Sequence, residues 1–179
     1  DEIQPGFGRT GKLFGFEHFN VTPDILVMGK GMGGGLPIGA FCSSRKLMKV
    51  IQEKPKLGHI TTFGGNPIVA SSALATLKVL YKKNIMSEIS EKELLFRQRL
   101  KHPHIKKING IGLMLAIVFK NRSIANKLVE EAMKDGLILF WLLWEKKAVR
   151  ISPPLNITLK EINKGCDIII KNLNRINDD

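Results

Sequence analysis

The sequence has little of what membrane proteins and disulfide-stabilised secreted proteins need. No uninterrupted apolar run approaches the length of a membrane span, so we expect no membrane partner. The two cysteines, Cys42 and Cys166, are far apart and fit no metal-ligand spacing, which predicts reduced thiols, no bound metal and a cytoplasmic location. The chain begins at Asp1 with neither an initiator methionine nor a signal peptide, which favours an excised or incomplete polypeptide.

Acidic residues are also scarce, because 16 Asp and Glu oppose 28 Lys and Arg and leave a formal net charge of +12. Such a charge is typical of proteins that bind nucleic acid or another acidic surface. The basic residues are spread along the chain, apart from small groups such as Lys106-Lys107, and no aromatic residues alternate with them to form a base-stacking surface. We therefore predict no nucleic-acid partner. The alternative, a basic nucleic-acid binder, would show steeply salt-dependent DNA affinity.

Glycine is plentiful around a single lysine in the first third of the chain. The apolar run Ile25–Met28 has the length and β-branched content of a buried strand, and Lys30 follows it between two glycines. Three more glycines come at positions 33–35, and glycine permits positive φ and the close approach of another group. Two interpretations stay open from this stretch alone: a reactive amine in a loop cleared of side chains, or a turn with a solvated lysine.

Two nucleotide-binding motifs are excluded in the same region. The segment Gly6–Gly11 has the spacing G-x-G-x-x-G, but Pro5 interrupts the approach and residues 12–16 lack helical periodicity. Lys30 is not a Walker lysine, because Asp24 stands where glycine is required and Gly31 where Ser or Thr is required. We interpret residues 6–11 as a glycine-rich loop.

The remaining pattern predicts an α/β protein with a domain boundary near residue 84. Asn66 and Pro67 are a good N-cap and first residue for an apolar helix that runs to Tyr81 and is buried on more than one side. The second half alternates the two kinds of element. Its predicted strands are Gly110–Phe119, Leu137–Leu143 and Ala148–Ile151, and its predicted helices begin near Ser90, Ser123 and Thr158.

Two tryptophans, Trp141 and Trp144, lie three residues apart in or beside the apolar run Leu137–Leu143. Large aromatic side chains are mostly buried in folded proteins. We expect both to pack in the core, with a substrate-contacting wall as the alternative.

Taken together, several ordered motifs resemble those of the class-III aminotransferases, which are pyridoxal-phosphate (PLP) enzymes that include ornithine, acetylornithine and 4-aminobutyrate aminotransferases. The motifs are Asp1-Glu2-Ile3-Gln4, Gly8-Arg9-Thr10-Gly11, Pro23-Asp24-Ile25 with Lys30-Gly31, Gly33-Gly34-Gly35-Leu36-Pro37, Thr62-Phe63-Gly64-Gly65-Asn66-Pro67, Gly110-Ile111-Gly112-Leu113-Met114, and Arg150 followed by Pro153-Pro154-Leu155. The resemblance covers essentially the whole chain, which looks like the C-terminal half of such an enzyme.

The resemblance implies a fold and a reaction. The fold would be that of the fold-type-I PLP-dependent transferases, with residues 1–84 as part of the cofactor-binding large domain with its mixed sheet and residues 85–179 as the small α/β C-terminal domain. The enzyme would move an amino group from an amino acid or ω-amino donor to a 2-oxo acid, in the ping-pong manner. The family also implies a cytoplasmic homodimer whose active sites are shared between subunits.

The same resemblance implies roles for five residues. Lys30 would form the Schiff base with PLP and move the proton at the substrate. Asp1 would face the pyridine nitrogen, Gln4 the phenolic oxygen, and Thr62 the phosphate of the neighbouring subunit's cofactor. Arg150 would bind the substrate carboxylate or pair with an active-site glutamate, because its fork suits either partner. A surface arginine at a strand end is the alternative for Arg150.

The chain departs from the family pattern in three ways. Asn109 stands where the family often has arginine, and Ile60-Thr61 replaces commoner small residues. The family's first phosphate loop, its ring-stacking aromatic residue and its carboxylate partner precede the motif that begins at Asp1. Two alternatives therefore accompany the aminotransferase hypothesis: a truncated, catalytically incomplete chain, and a different PLP reaction on the same scaffold, such as that of an aminomutase or a decarboxylase.

Overall fold

The structure is a computed structural model that describes residues 1–53, 55–82 and 84–176, and its chain divides into two units. Unit 1 comprises Asp1–Met86 and unit 2 comprises Ser87–Asp179. Both combine helices with antiparallel strands. Among the described residues, no helix is both long enough and apolar enough to cross a membrane.

Unit 1 contains one small sheet and two helices. Strand β1 (Ile25–Met28) pairs antiparallel with β2 (Ala40–Ser43). Helix α1 spans Arg45–Glu53 and helix α2 spans Pro67–Lys82. The predicted start of α2 is confirmed, because the Asn66 side chain accepts a hydrogen bond from the Ile68 amide at 2.9 Å.

The expected burial of β1 and α2 is wrong for the residues described. Ile25 is 52% exposed and Val27 36%, while α2 buries only Ala73 and Leu80. Apolar residues favour burial, but burial needs other elements to cover them. Within unit 1 the described sheet has only two strands, and α2 packs against the short turn that begins at Lys30. Apolar composition alone therefore overstated how far these elements are covered.

Unit 2 is built on a four-stranded antiparallel sheet with the strand order β3-β4-β6-β5. The strands are β3 (Ile105–Ile111), β4 (Met114–Phe119), β5 (Phe140–Trp141) and β6 (Ala148–Ile151), and the helices are α3 (Ile89–Arg99), α4 (Arg122–Lys134) and α5 (Leu159–Leu173). Alternate residues of β4, namely Leu115, Ile117 and Phe119, enter a buried apolar cluster together with residues of all three helices. One face of the sheet is thus covered by the helices of unit 2.

The predicted strand Gly110–Phe119 is wrong, because the structure has a hairpin there. Strands β3 and β4 are joined by a turn at Gly112-Leu113, and Gly110 and Gly112 have φ values of +116° and +60°. A side chain at Gly110 would overlap the Met114 carbonyl, so this turn requires glycine. The glycines mark the turn itself and not the entrance to a single long strand.

The expectation of a buried strand over Leu137–Leu143 is also wrong. Only Phe140 and Trp141 are in strand β5, which lies at the edge of the sheet. Trp141 is 45% exposed and Trp144 97%, so the described structure places neither tryptophan in the core.

Local capping signals in unit 2 were predicted with mixed success. The capping box at Thr158 is confirmed, with Thr158 Oγ1 accepting from the Glu161 amide at 3.2 Å and Glu161 Oε2 accepting from the Thr158 amide at 2.8 Å. Helix α4 is instead capped by Asn121, whose side chain accepts from the Ile124 amide, and Ser123 lies in its first turn. Helix α3 begins one residue before Ser90, after an N-cap Glu88.

A polar cluster joins the end of α4 to α5. Asp135 Oδ2 lies 3.0 Å from Lys171 Nζ and accepts a hydrogen bond from Asn172 Nδ2 at 2.9 Å. These bonds from Lys171 and from Asn172 hold the pKa of Asp135 below its ordinary value of 3.8. A carboxylate with a lowered folded-state pKa contributes stability above its unfolded pKa, and that contribution is lost as the pH falls through the folded value.

We predict that Asp135→Asn lowers the free energy of unfolding at neutral pH, and that the difference from the parent protein narrows below about pH 4 as Asp135 becomes protonated in both states. Urea titrations at a series of pH values measure this. Glu130→Gln is the matched control, because Glu130 is exposed on α4 and takes no part in the cluster of Asp135, Lys171 and Asn172. If the free energies of unfolding of Asp135→Asn and the parent protein differed by the same amount at neutral and acidic pH, the lowered pKa of Asp135 would be contradicted.

Candidate functional site

Lys30 occupies a constrained position directly after β1. It begins a short 3-10 turn, Lys30–Gly33, and its φ of +44° lies in the left-handed region that non-glycine residues rarely adopt. Such a conformation costs on the order of 1–3 kcal/mol and persists where the surrounding structure enforces it. The residue is exposed, so the turn presents its amine to solvent.

Helix α2 holds the turn through the hydroxyl group of Ser72. Ser72 Oγ donates a hydrogen bond to the Gly33 carbonyl at 2.7 Å, and Thr76 Oγ1 donates to the Ser72 carbonyl at 3.0 Å. Gly34 has φ +58°, and a Cβ at that position would overlap Thr76 Oγ1. The glycines therefore let the loop that carries Lys30 sit directly on the helix.

Sequence reasoning missed Ser72 and Thr76. They are four residues apart and therefore share one face of α2, which is a signal that the sequence does contain. What the sequence does not contain is the partner, because Gly33 lies 39 residues before Ser72.

Glu2 is the second anchor that sequence reasoning missed. Its buried carboxylate accepts hydrogen bonds from the Gly15 amide at 2.8 Å and from the Phe16 amide at 2.9 Å. Its own amide donates to the Val27 carbonyl at 2.8 Å. One side chain and one amide thus connect the N-terminal segment, the turn that contains Gly15 and Phe16, and the strand that leads to Lys30.

The N-terminal segment lies against the lysine turn. A Cβ at Gly29 would contact the side chain of Ile3 at 3.7 Å, and a Cβ at Gly31 would contact Phe7 at 3.6 Å. The structure therefore brings the stretch that contains Asp1 and Gln4 to the same region as Lys30. Both Asp1 and Gln4 are exposed, and Asp1 Oδ1 accepts a hydrogen bond from the Ile3 amide at 2.8 Å.

Thr62 lies exposed in the loop that leads to α2. Among the described residues it makes no hydrogen bond to the lysine turn. Within unit 1, the segment that contains Asp1 and Gln4 lies against that turn through Ile3 and Phe7.

The donor set of unit 1 fits the chemistry of PLP. The amine of Lys30 can react with the aldehyde of PLP, and the carboxylate of Asp1 can pair with its pyridinium nitrogen. The side-chain amide of Gln4 can donate a hydrogen bond to its phenolic oxygen. Any side chain at Gly34 would overlap Thr76. The loop that carries the Lys30 amine therefore requires glycine at this position.

Arg150 lies in unit 2, on the face of the sheet opposite to the helices. It is half-buried on β6, between Ala116 on β4 and Phe140 on β5. Its guanidinium carbon is 5.7 Å from the centroid of the Phe140 ring. Its Nε is buried and has no hydrogen-bond partner among the described residues.

A cavity of about 510 Å³ opens beside this arginine. Its lining is mainly apolar and comes from the segment Leu137–Phe140, the segment Arg150–Pro154 and helix α5. Among the described residues, no carboxylate forms an ion pair with Arg150. An internal ion pair, one of the two roles implied by the resemblance, is therefore not formed within the part of the chain that the structure describes.

The described residues contain no group of three or more His, Cys, Asp or Glu side chains that could hold a metal ion. Both cysteines are free thiols, Cys42 exposed and Cys166 buried. Burial raises the pKa of Cys166 to about 12, so this thiol is unreactive at neutral pH.

Comparisons with known proteins place this geometry in context. The sequence profile of the family Aminotransferase class-III matches residues 1–173. The chain is similar to the ornithine aminotransferase of Plasmodium yoelii, with 32% identity and a TM-score of 0.87 over 98% of this chain and 47% of that one. It is also similar to the acetylornithine aminotransferase of Elizabethkingia anophelis, with 32% identity and a TM-score of 0.85 over 98% and 45% of the two chains.

A third similar structure is the ornithine aminotransferase of Toxoplasma gondii, with 34% identity and a TM-score of 0.86 over 97% of this chain and 42% of that one. That protein is described as having partial occupancy of PLP at its active site. The present chain spans less than half the length of each of these three relatives.

We predict that Gly34→Ala destabilises the protein by about 1–2 kcal/mol from its left-handed backbone, with a further loss from overlap with Thr76. Chemical denaturation of the full chain measures both parts. Adding Thr76→Ala should recover the part due to overlap, whereas Thr76→Ser keeps the hydroxyl oxygen and should recover none of it. No recovery by Thr76→Ala, or equal recovery by Ala and Ser, would show that the Thr76 hydroxyl does not limit this position.

We predict that Glu2→Ala exposes the amides of Gly15 and Phe16 to solvent exchange, because both lose their acceptor. Each unsatisfied buried amide costs about 1–3 kcal/mol. Amide hydrogen exchange measured by NMR should show lost protection at these two positions. Asp24→Asn, at an exposed carboxylate, serves as the control, and unchanged protection of Gly15 and Phe16 in Glu2→Ala would refute the anchor.

Proposed function

The chain belongs to the class-III aminotransferase family, and on this basis we propose that it forms the lysine-bearing part of a PLP-dependent aminotransferase. The family resemblance and the fold-type-I class expected from the sequence are confirmed. Because the chain covers only 42–47% of the three relatives compared above, the activity of a whole protein is part of the proposal. In it, residues 1–84 belong to the cofactor-binding large domain and residues 85–179 form the small C-terminal domain.

The observation that carries the proposal is the position of Lys30. Its amine is exposed at the end of β1, on a turn held by Ser72 and in a left-handed backbone that the surrounding contacts enforce. A side chain fixed in this way would be suited to bind the cofactor aldehyde covalently, through a Schiff base. Once a substrate amine had displaced it, the freed lysine amine would carry a proton to or from the substrate Cα. When bound, PLP supplies the electron sink for the carbanion that this proton transfer creates.

Asp1 and Gln4 support the same assignment from the neighbouring segment. We assign Asp1 to the ring nitrogen and Gln4 to the phenolic oxygen, since the contact of Ile3 with the lysine turn brings both residues to this region. Thr62 is assigned to the cofactor phosphate of a partner subunit. Its exposed position is compatible with a role in trans, and the homodimer stays a prediction.

Arg150 is proposed to bind the substrate carboxylate. Its buried Nε has no acceptor among the described residues, and a carboxylate can accept two parallel hydrogen bonds from a guanidinium fork. Both the amino donor and the 2-oxo acid acceptor, for which we propose 2-oxoglutarate, would use this group in turn.

A catalytically incomplete chain is the second candidate. The length comparison supports it, since the chain covers less than half of each of the three relatives compared above. Aminomutase or decarboxylase chemistry on the same scaffold would differ from transamination in needing no 2-oxo acid acceptor, so the dependence of turnover on an acceptor separates them.

We predict that Lys30 is the site of covalent PLP attachment. The full chain is incubated with PLP, reduced with borohydride and mapped by mass spectrometry, and we expect Lys30 to be labelled preferentially over other exposed lysines. Lys30→Ala should lower total labelling by about tenfold, because a positioned amine reacts faster than a freely solvated one.

Lys49→Ala, at an exposed lysine on α1, is the control and should label like the parent protein. Equal labelling of all exposed lysines would refute the assignment of Lys30. Labelling confined to Lys30 without turnover of any amino donor would instead support the incomplete chain.

A further inference from the structure

The face of the unit-2 sheet opposite to the helices has a continuous row of residues across all four strands. In register, Asn109 on β3 pairs with Ala116 on β4, Ala116 with Arg150 on β6, and Arg150 with Phe140 on β5. Directly paired residues in an antiparallel sheet have Cβ atoms about 4.5–5.5 Å apart, so Arg150 has a methyl group on one side and an aromatic ring on the other. The row surrounds the arginine with apolar groups.

The ring of Phe140 lies beside the guanidinium of Arg150. The guanidinium carbon lies 5.7 Å from the ring centroid, within the range of a cation–π contact. Because a guanidinium is planar, stacking on an aromatic face restricts its orientation as well as its position. Phe140 has no polar atom, so it orients Arg150 without occupying any of its N–H donors.

An acidic neighbour would have a different effect. A carboxylate paired with Arg150 would neutralise its charge and occupy the fork, so an incoming ligand would first have to displace it. Among the described residues no such carboxylate is present, and Nε is buried without an acceptor. A buried donor left unpaired costs free energy, which a ligand carboxylate would recover on binding.

The opposite side of Arg150 leaves room for such a ligand. Ala116 presents only a methyl group between Arg150 and the exposed Asn109. A larger side chain at this point of the row would cover the guanidinium that Phe140 supports from the other side. The small residue and the large ring therefore act together on one arginine.

We propose that Phe140 is a positioning residue that holds the guanidinium of Arg150 ready for a substrate carboxylate. The inference rests on the proposed function of Arg150 and adds a residue that no motif of the chain indicates. Phe140 itself does not contact the reacting atoms, so its effect is on carboxylate affinity, through the orientation of Arg150.

The experiment compares Phe140→Leu, which removes the ring, with Phe140→Tyr, which keeps it. Trp141→Leu is the matched control, because it removes the adjacent aromatic residue of the same strand, which pairs with Val149 and not with Arg150. The full chain is labelled with ¹⁵N-arginine, and the Nε–H signal of Arg150, assigned with Arg150→Lys, is followed by NMR. Glutarate is then titrated as the carboxylate probe.

We expect Phe140→Leu to shift and broaden the Arg150 Nε–H signal and to weaken glutarate binding by about three- to tenfold, from the size of a cation–π contact. Phe140→Tyr should restore both properties, and Trp141→Leu should leave both unchanged. An Arg150 signal and a glutarate affinity that are the same in Phe140→Leu as in the parent protein would overturn the inference. Equal losses in Phe140→Leu and Trp141→Leu would also overturn it, because they would indicate a general loss of the strand.

Failure of the proposed function gives a different result. If Arg150→Lys binds glutarate as well as the parent protein does, Arg150 is not the carboxylate group and its assigned role is refuted. A ring-dependent Arg150 signal in that case would still support the orienting contact of Phe140, since it is measured without any ligand.

Discussion

The geometry of the lysine region depends on the carboxylate of Glu2. Its two oxygens accept hydrogen bonds from the consecutive amides of Gly15 and Phe16, and the amide of the same residue binds the carbonyl of Val27. Hydrogen bonds to a charged acceptor are stronger and shorter than those between neutral groups. Asp1 directly precedes this residue, Gln4 lies two positions after it, and Lys30 follows Val27 closely. The placement of all three therefore depends on the side chain and the amide of a residue that makes no contact with a ligand in the proposed function.

Features that depend on neighbouring residues were predictable from the sequence. The capping box at Thr158 and the Asn66-Pro67 start of α2 are decided within one helical turn, and the structure confirms both. The hairpin between β3 and β4 was missed because an apolar run with glycines near its start is typical of one strand as well as of two. Only the positive φ of Gly112 and the close approach of Met114 to Gly110 decide between them, and neither is visible in the sequence.

The candidate site shows the same limit at longer range. Lys30, Asp1, Gln4, Thr62 and Arg150 could be named because ordered motifs resemble a known family. Ser72 and Phe140 could not, because their roles depend on contacts that the motifs do not specify. Ser72 meets a carbonyl 39 residues earlier, and Phe140 meets Arg150 only through the register of an edge strand two residues long. A register shift by one residue would move Phe140 to the other face of the sheet.

The two units are stabilised by different kinds of interaction. Every member of the buried apolar cluster lies between Ile89 and Ile176, whereas the buried apolar side chains described in unit 1 are Phe7, Ala73 and Leu80. Apolar burial contributes most of the stability of a fold but has no direction, while a hydrogen bond contributes about 1 kcal/mol and fixes geometry. Unit 1 therefore has a precisely oriented turn but little buried apolar surface. The local opening that exposes its backbone amides to exchange should cost less free energy than in unit 2. A ligand that binds the folded state stabilises it, so a cofactor bound covalently to Lys30 would add stability to unit 1. A unit whose hydrogen bonds orient the lysine turn, but whose own apolar burial is small, therefore suits the function proposed for Lys30.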